Sequence, residues 1–79
     1  MPTGKVKFFN KKKKYGFIIK DDDGKDIFFH LTGISDPILR NDIFSSQNVN
    51  FSIMKEEKGE KAVNIRLELR KIGKNELSS

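Results

Sequence analysis

Apolar and polar positions alternate along much of the chain in short runs rich in β-branched and aromatic residues, broken by Gly, Asp, Asn or Lys clusters, and helical stripes are scarce. The pattern predicts strands from Lys5 to Asn10, from Tyr15 to Lys20 and from Asp26 to Leu31. The second and third are joined by a hairpin turn through Asp21, Asp22, Asp23 and Gly24, where Gly supplies positive φ and the Asp side chains bond nearby backbone. Alternation lapses from Thr32 to Ser46, where Gly33, Pro37, Asn41 and Asp42 sit among scattered aliphatics. This reads as a long connection with a short helical turn near Asp36 to Arg40. It resumes from Asn48 to Met54, with Val49, Phe51 and Ile53 on one face, and a turn through Glu56 to Glu60 centres on Lys58-Gly59. A last strand sets Val63, Ile65, Leu67 and Leu69 opposite Asn64, Arg66, Glu68 and Arg70; Ile65, Leu69 and Ile72 would also suit a helix, so the strand is expected through Leu67. Residues 1–70 then form one domain and Lys71 to Ser79 a flexible tail. Five short strands in so few residues predict a closed or nearly closed barrel, because closure removes the edges a small sheet would expose.

The same alternation sorts the aromatic residues. With Ile18 facing the core, Tyr15 and Phe17 fall on the outer face; with Ile27 and Phe29 inward, Asp26, Phe28 and His30 point out. The hairpin gathers Tyr15, Phe17, Phe28 and His30 on one surface, and no amphipathic helix remains to cover them. Phe8 and Phe9 are consecutive, so one of them joins that face in either phase of the first strand, or a bulge turns both. Phe9, Phe29 and Phe51 are expected in the core, and Phe44 in the core or as a plug of the barrel.

Composition narrows what such a surface serves. The 79 residues allow one small domain, and a chain of this size buries about 60 to 65% of its unfolded surface, which leaves little room for an enclosed cofactor cavity. Ile, Leu, Val and Phe make up 24 of the 79 residues, enough to fold. There is no Cys, which excludes disulfides and thiolate metal sites, and His30 is the single histidine, so neither a structural zinc site nor a Ser–His–Asp centre is expected. No signal-peptide pattern and no long apolar run is present, so a soluble protein of a reducing compartment is expected.

Charge then points to a partner. The net +5 is one local block: residues 1–20 hold seven lysines and no acid, while the other 59 residues hold nine basic and eleven acidic side chains, a sum of −2. A lysine block flanking exposed rings suits a single-stranded nucleic acid, whose bases stack on the rings at roughly 1 to 3 kcal/mol per base while the lysines meet its phosphates. Duplexes hide their base faces and are excluded from such stacking. Docking of the basic barrel on structured RNA or on a ribosomal or protein partner is the alternative. Anionic membrane ranks third, since no amphipathic helix supports it, and enzyme chemistry last; Asp21, Asp22 and Asp23 crowd one turn and could at most hold a divalent ion weakly.

Three ordered segments carry a resemblance: Gly4-Lys5-Val6-Lys7-Phe8-Phe9-Asn10, then Lys14-Tyr15-Gly16-Phe17-Ile18, then Asp26-Ile27-Phe28-Phe29-His30. They resemble the cold shock domain family, whose pattern reads G-x-V-K-W-F-N, K-G-F-G-F-I and D-V-F-V-H, the last two being its ribonucleoprotein motifs; the match runs from about residue 4 to 67. The resemblance implies an all-β, five-stranded antiparallel barrel of the oligonucleotide-binding type, a monomer that binds single-stranded RNA and DNA, and an RNA chaperone of the bacterial cytoplasm. No cofactor, metal or small-molecule substrate is implied. By position it assigns Lys7, Phe8, Phe9, Tyr15, Phe17, Phe28 and His30 to nucleic-acid contact, with Asn10 and Asp26 as polar or backbone-fixing neighbours and Lys13 and Lys14 in the adjoining loop. The chain departs from the pattern in four places. Phe8 stands where many members have Trp, Lys13-Lys14 where the family has Lys-Gly, and Leu31 where a Phe usually follows the histidine. The loop after Thr32 is about one residue longer, with Ile38 or Leu39 in place of an aromatic. Fewer rings and more lysines predict a steeper salt dependence.

Overall fold

Two tight turns organise the first half of the chain in the computed structural model, which describes residues 2–43 and 45–68. Strand β1 (Thr3–Asn10) turns through Lys11 to Lys14 into β2 (Tyr15–Lys20), and the Asp21 to Lys25 turn leads into β3 (Asp26–His30). The second turn closes as its residues dictate: Lys20 accepts from the Gly24 amide at 2.9 Å, Gly24 takes φ +71°, and the Asp23 carboxylate accepts from the Lys25 amide at 2.9 Å. A 3-10 turn over Leu31–Gly33 and a helix, α1 (Pro37–Asn41), form the connection. Asp36 caps α1 by accepting from the Ile38 amide at 3.0 Å, and Pro37 opens it, where its missing N–H costs nothing. Strands β4 (Asn48–Glu56) and β5 (Gly59–Leu67) complete the chain as a second hairpin.

The strands close into a barrel in the order β1-β2-β3-β5-β4, with β1 and β4 sealing it. The expected antiparallel pairing holds at every seam but one: β3 and β5 run parallel, through Phe28 opposite Lys61 and Phe29 opposite Ala62. The connection through α1 crosses the barrel end before β4 begins, so β5, reversed from β4, arrives alongside β3 in the same direction. Val6, Ile18, Ile27, Phe29, Val49, Phe51, Ala62 and Ile65 fill the interior from all five strands, and Ile34, Leu39 and Ile43 of the connection join the same core.

Bulges explain where strict alternation fails. In β1, Val6 pairs with Ile18 but Phe8 with Phe17, so Lys7 is an extra residue and both Lys7 and Phe8 face outward. In β5, Asn50 pairs with Arg66 and Ser52 with Val63, and Asn64 adopts φ +56°. Alternation resets there, so Ala62 and Ile65 are buried and Leu67 packs against the core, while Val63 is only half-buried and leaves the face expected for it with Ile65 and Leu67. Ile53 is 38% exposed, not in the core with Val49 and Phe51: it lies near the outer end of the β4–β5 hairpin, beyond the packed interior. Strand β3 ends one residue earlier than expected, since Leu31 enters the 3-10 turn. Phe44, Leu69 and the expected tail from Lys71 to Ser79 lie outside the described residues.

Gly16 permits the closest strand approach. A Cβ there would strike the Phe8 carbonyl and stand 2.9 Å from the Phe29 ring. The residue at this position must therefore lack a side chain for β1 to lie against β2 under the outward ring of Phe8.

Candidate nucleic-acid interface

The β1 bulge and the β2–β3 register place the outward aromatics in rows across the sheet. One row runs Phe8, Phe17, Phe28 and, across the parallel seam, Lys61; the next runs Asn10, Tyr15 and His30. Phe8 and Phe17 have ring centroids 5.6 Å apart, Phe17 and Phe28 6.0 Å, Tyr15 and Phe28 5.8 Å, and Tyr15 stands 6.4 Å from Phe8. Their interplanar angles are mostly steep, the edge-to-face arrangement that aromatic quadrupoles favour. Phe8 is 41% exposed, and Tyr15, Phe17 and Phe28 are half-buried with their neighbours supplying the cover. The rings thus brace one another while the sheet's outer side stays open.

Phe9 belongs to a different environment. It is half-buried, packs against the core and stacks on Phe29 at 5.8 Å with planes 14° apart. It lies outside the outer cluster, as its expected core role implies.

Polar groups frame the rings. Lys7 reaches Asp26 at 2.9 Å, so both are held at the cluster's border in an exposed ion pair. Asn10 fixes the lysine loop: its side-chain oxygen accepts from the Lys13 amide at 3.0 Å and its carbonyl from the Lys14 amide at 2.7 Å. Lys11 to Lys14 are all exposed, and Lys14 adopts φ +64°. His30 Nδ1 accepts from the Thr32 amide at 3.1 Å, so the neutral ring carries its proton on Nε2 and offers that nitrogen as a donor. Two of the three acids of the turn are engaged with their own surroundings: Thr3 donates to Asp21 at 2.7 Å, and Asp23 pairs with Lys20 at 3.2 Å. Among the described residues no three His, Cys, Asp or Glu side chains come together to hold a metal ion.

Every residue assigned from the sequence is placed by these elements: Phe8, Tyr15, Phe17 and Phe28 together, His30, Lys7, Asp26 and Asn10 at their edges, Lys13 and Lys14 in the loop, and Phe9 beneath it. Sequence reasoning missed Lys61, because only the non-local parallel seam brings it beside Phe28. It missed Arg40 as well, which with Lys11, Lys14 and Phe9 borders a cavity next to the loop. The departures resolve too. Leu39 is buried in the core and Ile38 is 71% exposed, so Ile38 is the residue presented to solvent in place of an aromatic, while Leu31 packs against the core. No helix among the described residues is long and apolar enough to cross a membrane.

Comparison with known proteins bears on this surface. A family described as the 'Cold-shock' DNA-binding domain matches residues 2–68. The cold shock-like protein CspG of Escherichia coli (strain K12) is 43% identical over 63 residues, 80% of this chain and 89% of that protein. The cold shock-like protein CspC of Shigella flexneri is 42% identical over 62 residues, 78% of this chain and 88% of that one. Among solved structures, drosophila Unr CSD456 superposes with a TM-score of 0.71 at 21% identity, covering 85% of this chain and about a quarter (26%) of that longer one, a likeness of fold. The segments that build the ring surface all fall inside the matched region, and the chain belongs to the cold-shock domain family.

Proposed function

We propose that the chain binds single-stranded RNA and DNA by stacking unpaired bases on Phe8, Tyr15, Phe17 and Phe28, with Lys7 and the Lys11 to Lys14 loop meeting the phosphates. The observation that carries this reading is the contiguous cluster of outward rings on one sheet face, spaced 5.6 to 6.4 Å. Every base has a π-face and few base edges are addressed, so sequence specificity is low. Binding unpaired strands and not duplexes shifts RNA folding toward open forms by mass action, which makes the protein an RNA chaperone without a reaction, cofactor or small-molecule substrate. Asn10 and Asp26 position the loop and Lys7, and His30 extends the surface with its Nε2 donor. The protein works as a cytoplasmic monomer.

The test is fluorescence anisotropy with a labelled pyrimidine strand of about seven bases and its duplex, at two salt concentrations, for the wild type, Phe17→Ala and Phe28→Ala. Single-strand binding should be at least micromolar, vanish for the duplex, and weaken by roughly 1 to 3 kcal/mol for each lost ring. Equal affinity for both forms, unaffected by either substitution, would replace this reading with docking of the lysine block on structured RNA.

A further inference from the structure

A second feature lies beyond the ring surface. A cavity of about 300 Å3 opens beside the lysine loop, floored by Phe9, Leu31 and Ile43 and bordered by Lys11, Lys14 and Arg40. No carboxylate lines it. Three other cations do sit beside an acid, Lys7 by Asp26, Lys20 by Asp23 and Lys61 by Glu56 at 3.1 Å. Among the described residues, Lys11, Lys14 and Arg40 have no such acidic partner. Arg40 is aimed by its own backbone contact: one guanidinium nitrogen donates to the Ile34 carbonyl at 2.8 Å, which leaves the rest of the fork available. The cavity also abuts one end of the ring surface. Lys14 precedes Tyr15, Leu31 follows His30, and the Leu31 amide donates to the Lys14 carbonyl at 2.8 Å, tying the two junctions together.

We infer that this cavity receives the phosphorylated end of a bound strand, the terminal nucleotide lying over Phe9, Leu31 and Ile43 and its phosphomonoester meeting Lys11, Lys14 and Arg40. A terminal phosphomonoester approaches two negative charges, whereas an internal phosphodiester carries one, so three cations gathered at one cavity without an acid among them discriminate in favour of the end. Arginine suits it further, because its planar fork grips phosphate oxygens in pairs. The inference rests on the single-strand reading above and adds a preference for strand ends.

Its test compares three strands of one sequence, carrying a 5′-phosphate, a 3′-phosphate or hydroxyls at both ends, with the readout being the ratio of phosphorylated to hydroxyl-ended affinity in low salt. One phosphorylated form should bind about tenfold tighter, equivalent to about 1.4 kcal/mol. The identity of that form gives the direction in which the strand runs. Arg40→Gln and Lys11→Gln should each bring the ratio toward one, while Phe17→Ala lowers all affinities and leaves the ratio intact. Using a ratio within each protein removes any general loss of affinity, and Lys11→Gln covers the case in which Arg40→Gln unfolds by losing its bond to Ile34. A wild-type ratio of one, or a ratio unchanged in Lys11→Gln and in folded Arg40→Gln, overturns the inference. Failure of the hydroxyl-ended strand to bind would instead overturn the single-strand reading.

Discussion

Lys14 holds the left-handed backbone that a turn into β2 requires, at φ +64°, where a Cβ crowds the following carbonyl at about 1 to 2 kcal/mol. Glycine would relieve that strain, although its freer unfolded chain offsets part of the gain. Lys14→Gly should therefore raise stability by about 0.5 to 1 kcal/mol, read as a higher urea midpoint at unchanged slope, while weakening strand binding by the loss of one charge. The resemblance to a pattern with Gly at this position makes the lysine a substitution of charge for backbone ease. A residue that strains the turn and faces solvent fits the function proposed above, in which its charge serves the strand and not the fold.

Elements with uninterrupted alternation were legible from sequence. The β2–β3 hairpin put Tyr15, Phe17 and Phe28 outward as their spacing requires, and the Asp36-Pro37 pair marked the start of α1. Bulges were not legible, because an extra residue leaves composition unchanged while inverting every face beyond it; this moved Val63 and exposed both Lys7 and Phe8. Pairings between distant segments, such as Phe28 with Lys61, carry no local signal at all. The β2–β3 turn also has a titratable support. The Lys25 amide, and then the Lys20 ammonium, hold the Asp23 carboxyl below its ordinary 3.8. A lowered folded value stabilises above the unfolded value and loses that contribution as pH falls through the folded one. Urea midpoints of wild type and Asp23→Asn should accordingly differ near neutrality and converge in acid below about pH 4; a gap that persists at pH 2 would assign the turn's stability to sterics alone.

At the scale of the whole molecule, the lysine loop and the aromatic surface both belong to the β1–β3 sheet, and under the proposed function affinity divides between stacking and counterion release. Each lysine that meets a phosphate should add about 0.7 to the slope of log affinity against log salt for a single strand. Lys12→Gln with Lys13→Gln should flatten that slope by up to about 1.4 while leaving high-salt affinity nearly unchanged; titrations from low to high salt would read it. The ring surface and the rest of the barrel are also separated in time. Phe8 to Phe28 lie on the first three strands, whereas the inner side of that sheet is covered by Val49, Phe51, Ala62 and Ile65 from β4 and β5. A ribosome making about 5 to 20 residues per second finishes the first sheet seconds before its cover exists. During that interval the nascent sheet is apolar inside and aromatic outside, a surface prone to pair with its own kind. The four exposed lysines between β1 and β2 put like charge beside that surface, which disfavours pairing between neighbouring copies.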